Sequence, residues 1–254
     1  MMAGMAMKSD KPAYQFFDLK GRKADYKDVL KAAAEADIVF FGEIHTSPVC
    51  HWLQFELTKD LFEEKGENLV LGAEMFESDN QLLLDEYLSG KIREKNFEEE
   101  ARLWKNYKTD YKPLVKFALD NKLPFIATNV PRRYAAMVNS KGFEALNDLS
   151  EDAKKLMPPL PIPYDPELPG YKSMVEMMKE MDASHATDNI ARAQALKDAT
   201  MAHFILQNRE EGKLFIHYNG SYHSEKFEGI VWYIRQTMPE LRIVTIASVE
   251  QEEL

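Results

Sequence analysis

Among 254 residues the chain has one cysteine, Cys50, so it can form no intrachain disulfide and no thiolate-rich metal site. Basic residues are also scarce, with 32 Lys and Arg against 42 Asp and Glu. No Lys/Arg run is long enough to make a stripe, which argues against nucleic acid or an anionic membrane surface as partner. No apolar run approaches the length of a transmembrane helix. Met1 to Asp10 contains small residues and methionines without an apolar stretch of signal-peptide length. Internal repeats and disordered low-complexity tracts are absent as well. The length fits one α/β domain, or such a core with an attached lid, with ample material for a core.

Apolar strand-like runs alternate with helical spacing. Strands are predicted at Asp37 to Phe41, Leu69 to Ala73, Pro124 to Thr128, Lys213 to Tyr218 and Arg242 to Ala247. Tyr26, Val29, Leu30 and Ala33 mark a helix before the first strand. Ser47-Pro48 reads as a helix N-cap followed by proline at the first helical position. Ser78 is expected to start the next helix, Asn96 to Asn121 to be helical, and about Thr187 to Arg209 to form one long helix. This alternation predicts an α/β fold: an open, mostly parallel sheet covered by helices on both faces. Residues 1–24 read as an N-terminal extension and 25–254 as a single domain. A helical lid or subdomain at about 131–210 is inserted before the C-terminal strands. Within it, Met157-Pro158-Pro159-Leu160-Pro161-Ile162-Pro163 reads as a stiff strap.

Chemistry concentrates at strand ends. Gly42-Glu43-Ile44-His45 and Gly220-Ser221-Tyr222-His223 each follow an apolar strand, and Leu69 to Ala73 leads into Glu74. The glycines are expected to let the chain turn sharply out of the strand. In a parallel sheet these ends share one edge, where ligands bind. Two imidazoles and two carboxylates (Glu43, His45, Glu74, His223) could hold one divalent ion with an open water position. A metal-free site could instead use His45 or His223 as general base oriented by a glutamate. The bland alternative has the glutamates capping helices and the histidines bonding backbone.

Five ordered segments carry a family resemblance: Phe41-Gly42-Glu43-Ile44-His45, Gly72-Ala73-Glu74-Met75, Asn129-Val130-Pro131-Arg132, Gln194 through Ala202, and Gly220-Ser221-Tyr222-His223. Together they resemble the ChaN-like haem-binding family, in a superfamily with the erythromycin esterases, TraB proteins and Tiki metalloproteases. The resemblance runs from about residue 25 to 247. It implies an α/β core with a helical lid, haem (iron-porphyrin) as ligand, and a place in haem or iron uptake at the bacterial cell envelope, often as a lipoprotein. An outer-membrane haem uptake partner is implied with it. No lipobox cysteine precedes the domain. The expected location is therefore the envelope if a leader was trimmed and the cytoplasm otherwise. Hydrolytic members of the superfamily imply a second reading, an esterase or peptidase using Glu43, His45, Glu74 and His223.

Other candidates are weighed singly. Arg132 could grip a carboxylate such as a propionate, or form a surface ion pair. Arg133 is expected to be solvated. Asn219 could donate to an oxyanion, although closing the turn is the favoured reading. Tyr111 and Tyr222, with Tyr107, Tyr164 and Tyr171, are candidate axial ligands for haem. The absence of Cys-x-x-Cys-His excludes covalent attachment. Met174, Met177, Met178 and Met181 read as a buried helix face more readily than as a porphyrin wall. His217 and His203 are expected in the core, His51 near the pocket or exposed, and His185 in the lid. A homodimer around a flat ligand is expected from apolar lid faces.

Overall fold

The computed structural model describes residues 12–180 and 189–251. A hairpin of β1 (Phe16–Phe17) and β2 (Lys23–Ala24) precedes α1 (Tyr26–Ala34). The order continues β3 (Ile38–Glu43), α2 (Pro48–Lys65), β4 (Leu69–Glu77), α3 (Gln81–Leu88), α4 (Glu94–Glu100), α5 (Lys112–Asn121) and β5 (Phe125–Asn129). There follow α6 (Arg132–Lys141), α7 (Glu151–Lys154), α8 (Pro169–Glu180), α9 (Asn189–Asn208), β6 (Leu214–Gly220), α10 (Ile230–Thr237) and β7 (Ile243–Ala247). All five predicted strands form, and they make one parallel sheet in the order β5-β4-β6-β3-β7. The chain is an α/β protein with a helix-covered parallel sheet.

Strand parity sorts the core. Val39, Phe41, Leu71, Phe125 and Ile216 face a cluster with Leu53, Leu57 and Leu61 of α2 and Leu114 and Val115 of α5. Ile38, Phe40, Val70, Ile126 and Phe215 face the opposite cluster with Leu196, Ala199 and Ile205 of α9 and Val231 and Ile234 of α10. Each fully buried aliphatic or aromatic side chain contributes about 1.5–3 kcal/mol. The two clusters therefore fix strand register, since a one-residue slip would exchange them. Ser47 caps α2 by accepting from the Cys50 amide, with Pro48 in the first turn, as the sequence predicts.

Two expectations change. Much of the 131–210 insertion is not lid: α9 packs on β5 and on α6, and both helices supply residues of the second core layer. The proline strap docks there too, with Met157 and Ile162 buried and the Pro163 carbonyl accepting from the Tyr233 hydroxyl at 2.7 Å. On α8, Met174 and Met178 are half-buried and Met177 is 55% exposed, so these residues do not form a buried face. Met181 and His185 lie outside the described residues. Ser78 starts the next helical segment as expected, through a 3-10 turn at Ser78–Asn80 that runs into α3, and its hydroxyl donates to the Leu156 carbonyl at 2.9 Å.

Candidate functional site

Gly42, Gly72 and Gly220 stand inside strands without left-handed backbone, so the expected sharp turns are not their role. They provide space. A Cβ on Gly42 would sit 2.8 Å from the Ile246 carbonyl oxygen, and one on Gly72 would strike the Phe215 ring at 2.7 Å. A Cβ on Gly220 would lie 2.9 Å from His45 Nε2 and 3.6 Å from Glu74 Oε2. The His45 ring thus rests on the bare Gly220 backbone. Because β6 lies between β3 and β4, its Gly220 end brings Glu43, His45 and Glu74 to one place, and the turn after it adds His223.

The four residues gather as two hydrogen-bonded pairs. In the first, His45 Nδ1 lies 2.9 Å from Glu43 Oε1. Glu43 is sealed from solvent and also accepts from Tyr111 Oη at 2.6 Å and Gln54 Nε2 at 2.5 Å. His51 and Asn106 both reach the His45 carbonyl, at 3.1 and 2.9 Å, and His51 Nδ1 lies 3.1 Å from Gln54 Oε1. Trp104 packs edge-on against the His45 ring with centroids 4.9 Å apart. The His45 side chain keeps 40% exposure, and its Nε2 has no partner among the described residues. The Glu43 hydrogen bond outweighs burial and raises the His45 pKa above its ordinary value.

In the second pair, His223 Nε2 lies 3.2 Å from Glu74 Oε1 and its Nδ1 lies 2.5 Å from Asp198 Oδ1. Glu74 Oε2 accepts from the Gly220 amide at 2.8 Å, and Tyr171 Oη donates to Asp198 Oδ2 at 2.7 Å. The Gln194 amide nitrogen lies 3.1 and 3.2 Å from the two ring nitrogens. Burial pulls the His223 pKa down, but the Glu74 and Asp198 carboxylates overcome it and hold it at about 10. Burial opposes ionisation of Glu74, yet the His223 charge keeps its carboxyl well below the usual range. Burial dominates for Asp198 and shifts it upward. This sealed unit is an imidazolium between carboxylates, and the charge on Glu74 also favours protonation of His45.

The four-ligand metal centre is corrected by this arrangement. Every oxygen of Glu43 and Glu74 already accepts a proton donor, and both ring nitrogens of His223 face carboxylates. Among the described residues no three His, Cys, Asp or Glu side chains are placed to hold an ion.

Tyr111 is likewise corrected as a ligand contact, since it is buried and its hydroxyl is committed to Glu43. Asn219 is fully buried, with its amide donating to the Gly220 carbonyl and Ser224 Oγ and its oxygen facing His217 Nδ1. It closes the turn, the reading the sequence favoured. Tyr222 is partly exposed, and its hydroxyl donates to the Gly170 carbonyl. Arg132 pairs with Glu77, and Arg133 with Asp79. His217 is a core histidine between Thr128 and Asn219, its pKa pushed by burial down to about 4. His203 is only half-buried, and His51 is buried.

Gln54 and Trp104 escaped the sequence reading, Tyr171 entered it only as a candidate haem ligand, and Asp198 only as one letter of the Gln194–Ala202 segment. A signal existed for Asp198: it follows Gln194 by one helical turn, so two polar side chains share a face of α9 that is otherwise apolar.

The profile of the haem-binding uptake proteins of the Tiki superfamily, ChaN, matches residues 29–234. The chain belongs to the ChaN family. Its structure is similar to that of ChaN of Campylobacter jejuni, solved with haem bound cofacially, with a TM-score of 0.69 and 20% identity over 92% of this chain and 89% of that one. A succinoglycan biosynthesis protein (TM-score 0.50, 15% identity, 87% of this chain and 68% of that one) and a Bacillus cereus protein (0.51, 16%, 87% and 67%) share the fold. No protein of curated function matches the sequence significantly.

Proposed function

We propose that this ChaN family member binds haem at the carboxyl edge of its sheet and serves in haem or iron uptake. The observation that carries the reading is the family match across residues 29–234, supported by the fold shared with a haem-bound ChaN. The residues present suit such a ligand. His45 offers an open Nε2 beside the Trp104 ring, and Tyr222 is a partly exposed residue whose hydroxyl would have to leave the Gly170 carbonyl to reach the iron. These are accepted axial ligand types. Tyr222 bonds to the first turn of α8, whose Met177 is exposed, and Phe227 is exposed on the same loop as Tyr222, so adaptable apolar surface lies close by. Haem would supply the iron chemistry, and the chain supplies the ligand atom, the apolar wall and a proton donor. Cell-envelope location, lipoprotein anchoring, pairing of two copies around the ligand and an outer-membrane uptake partner belong to the same proposal.

The test is a haemin titration followed in the Soret band, with His45→Ala and Tyr222→Phe alongside. A saturable, stoichiometric shift lost in one variant supports the reading and names the ligand. Unsaturable binding, identical in all three proteins, would defeat it.

One observation favours a second reading, hydrolysis. His45 Nδ1 is anchored on Glu43 while Nε2 stays open, which is the geometry of an oriented general base. Nε2 would take a proton from water as the water oxygen bonds to an ester or amide carbonyl carbon. The same proton would pass to the leaving group as its bond to that carbon breaks. Turnover of p-nitrophenyl acetate by the wild type that vanishes in His45→Ala supports this reading, and turnover unchanged in that variant removes it.

A further inference from the structure

At the carboxyl ends of β4 and β5, outside the His/Glu cluster, three arginines converge on two carboxylates. Glu77, 3% exposed, accepts from Arg102 Nε at 3.0 Å and from Arg132 Nε. Asp79 accepts from Arg102 and from Arg133 Nη1, the latter at 2.6 Å. The Arg133 guanidinium also lies 4.5 Å above the Tyr134 ring. Three guanidinium groups on two carboxylates leave one positive charge, in a chain whose formal net charge is −10.

Two features show that this is more than a saturated surface network. Arg132 uses only Nε toward Glu77, so its terminal amino groups have no partner among the described residues, and its side chain is 61% exposed. The planar end that grips a carboxylate through two parallel bonds is free and faces outward. Arg132 is also the first residue of α6, whose N-terminus has no side-chain cap and whose amides favour an anion. Three residues earlier, Asn129 stands opposite Glu77 in the β4–β5 ladder, and its Oδ1 is a buried acceptor with no hydrogen-bond partner among the described residues, a place for a water carried with the ligand and not for the carboxylate itself.

We propose that Arg132, flanked by Arg102 and Arg133, forms an anion subsite that receives a carboxylate of the ligand. With haem as ligand, which is the reading this deepens, the group is a propionate. Arg132 then contributes to specificity and affinity, while Arg102 keeps Glu77 neutralised when Arg132 turns to the ligand.

The experiment compares haemin with its dimethyl ester on the wild type, Arg132→Gln and Arg132→Lys. The expected result is about tenfold tighter wild-type binding of haemin than of the ester, the size of a lost charge-assisted bond pair. Arg132→Gln should close that gap, and Arg132→Lys should keep part of it, since charge remains without the planar fork. Equal wild-type affinity for both ligands, or a gap that survives in Arg132→Gln, overturns the subsite and leaves the haem reading standing. If neither porphyrin binds saturably, the haem reading fails, and calorimetry with succinate and with inorganic phosphate decides the subsite. Succinate binding lost in Arg132→Gln upholds it. Binding of phosphate alone, or of neither, overturns it. Arg132→Gln leaves the Arg102 bond to Glu77 in place, so unchanged thermal unfolding is expected and is checked first.

Discussion

His45 and His223 both close a Gly-x-x-His tetrapeptide at the end of a parallel strand, yet their surroundings oppose each other. His45 has one nitrogen on a carboxylate and the other open at a half-exposed surface. His223 has both nitrogens on carboxylates in a sealed interior, joined through Asp198 and Tyr171 to α9 and α8. The difference leaves the first imidazole available for the proposed ligand chemistry and commits the second to buried charge pairing. Breaking a buried ion pair from one side leaves an uncompensated charge and costs about 3–5 kcal/mol, whereas losing a half-exposed histidine costs far less. His223→Ala and Asp198→Asn should therefore lower the midpoint of thermal unfolding by about 10 °C or more. His45→Ala should shift it by only a few degrees while removing haemin binding or ester turnover. Equal shifts for His45→Ala and His223→Ala would erase the contrast.

Gly220 joins the two halves, because its amide holds Glu74 while its bare Cα carries the His45 ring. Gly220→Ala places a methyl group 2.9 Å from His45 Nε2, so the ring must move off the Glu43 axis. The expected outcome is a loss of ligand binding or turnover of about tenfold or more with roughly 1–3 kcal/mol of destabilisation, the usual size for an overpacked site. Full function in Gly220→Ala would show that the His45 position is not what matters.

The fold was largely legible because short continuous apolar runs and helical spacing are local signals: each of the five sheet strands formed within a few residues of its expected range. Three strand ends meeting at one edge followed from parallel topology alone. What the sequence could not reveal was partnership. Glu43 and His45 are two residues apart, yet whether they bind a shared ion or each other depends on Gln54 and Tyr111, which arrive from α2 and from the turn before α5. Asp198 sits 25 residues from His223, and its polar position one turn after Gln194 on α9 marks it out without naming its partner. The glycines were noticed for the wrong physical reason, since close approach and a left-handed turn leave the same letter in a sequence.

The titration of the two histidines separates them again. Folded His223 keeps its proton up to about pH 10, while in the unfolded chain it does so only to about 6.5. Between those values the folded state binds more protons, so the stability from this group is complete below about pH 6.5 and is lost as the pH rises toward 10. Denaturant midpoints measured from pH 6 to 10 should fall in the wild type and fall less in Asp198→Asn, which removes one of the two carboxylates that raise the pKa. A wild-type slope no steeper than that of the variant would count against the imidazolium clamp.

The smallest effect is expected at His45, whose pKa is raised chiefly by its bond to Glu43. A base acts only when neutral, so any hydrolytic rate should increase with pH through a midpoint above the ordinary histidine value. Glu43→Gln removes the charge that raises that midpoint while its amide preserves the side-chain shape, so the rate profile should move to lower pH. The variant's plateau should fall as well, because an amide orients the ring less firmly than a carboxylate. A profile that keeps its midpoint in Glu43→Gln would mean that the titrating group is not His45. Repeating the comparison in Tyr111→Phe separates orientation from charge. Removing the Tyr111 hydroxyl takes one donor from Glu43 and leaves its carboxylate free to bond His45 more strongly, so the midpoint should rise slightly.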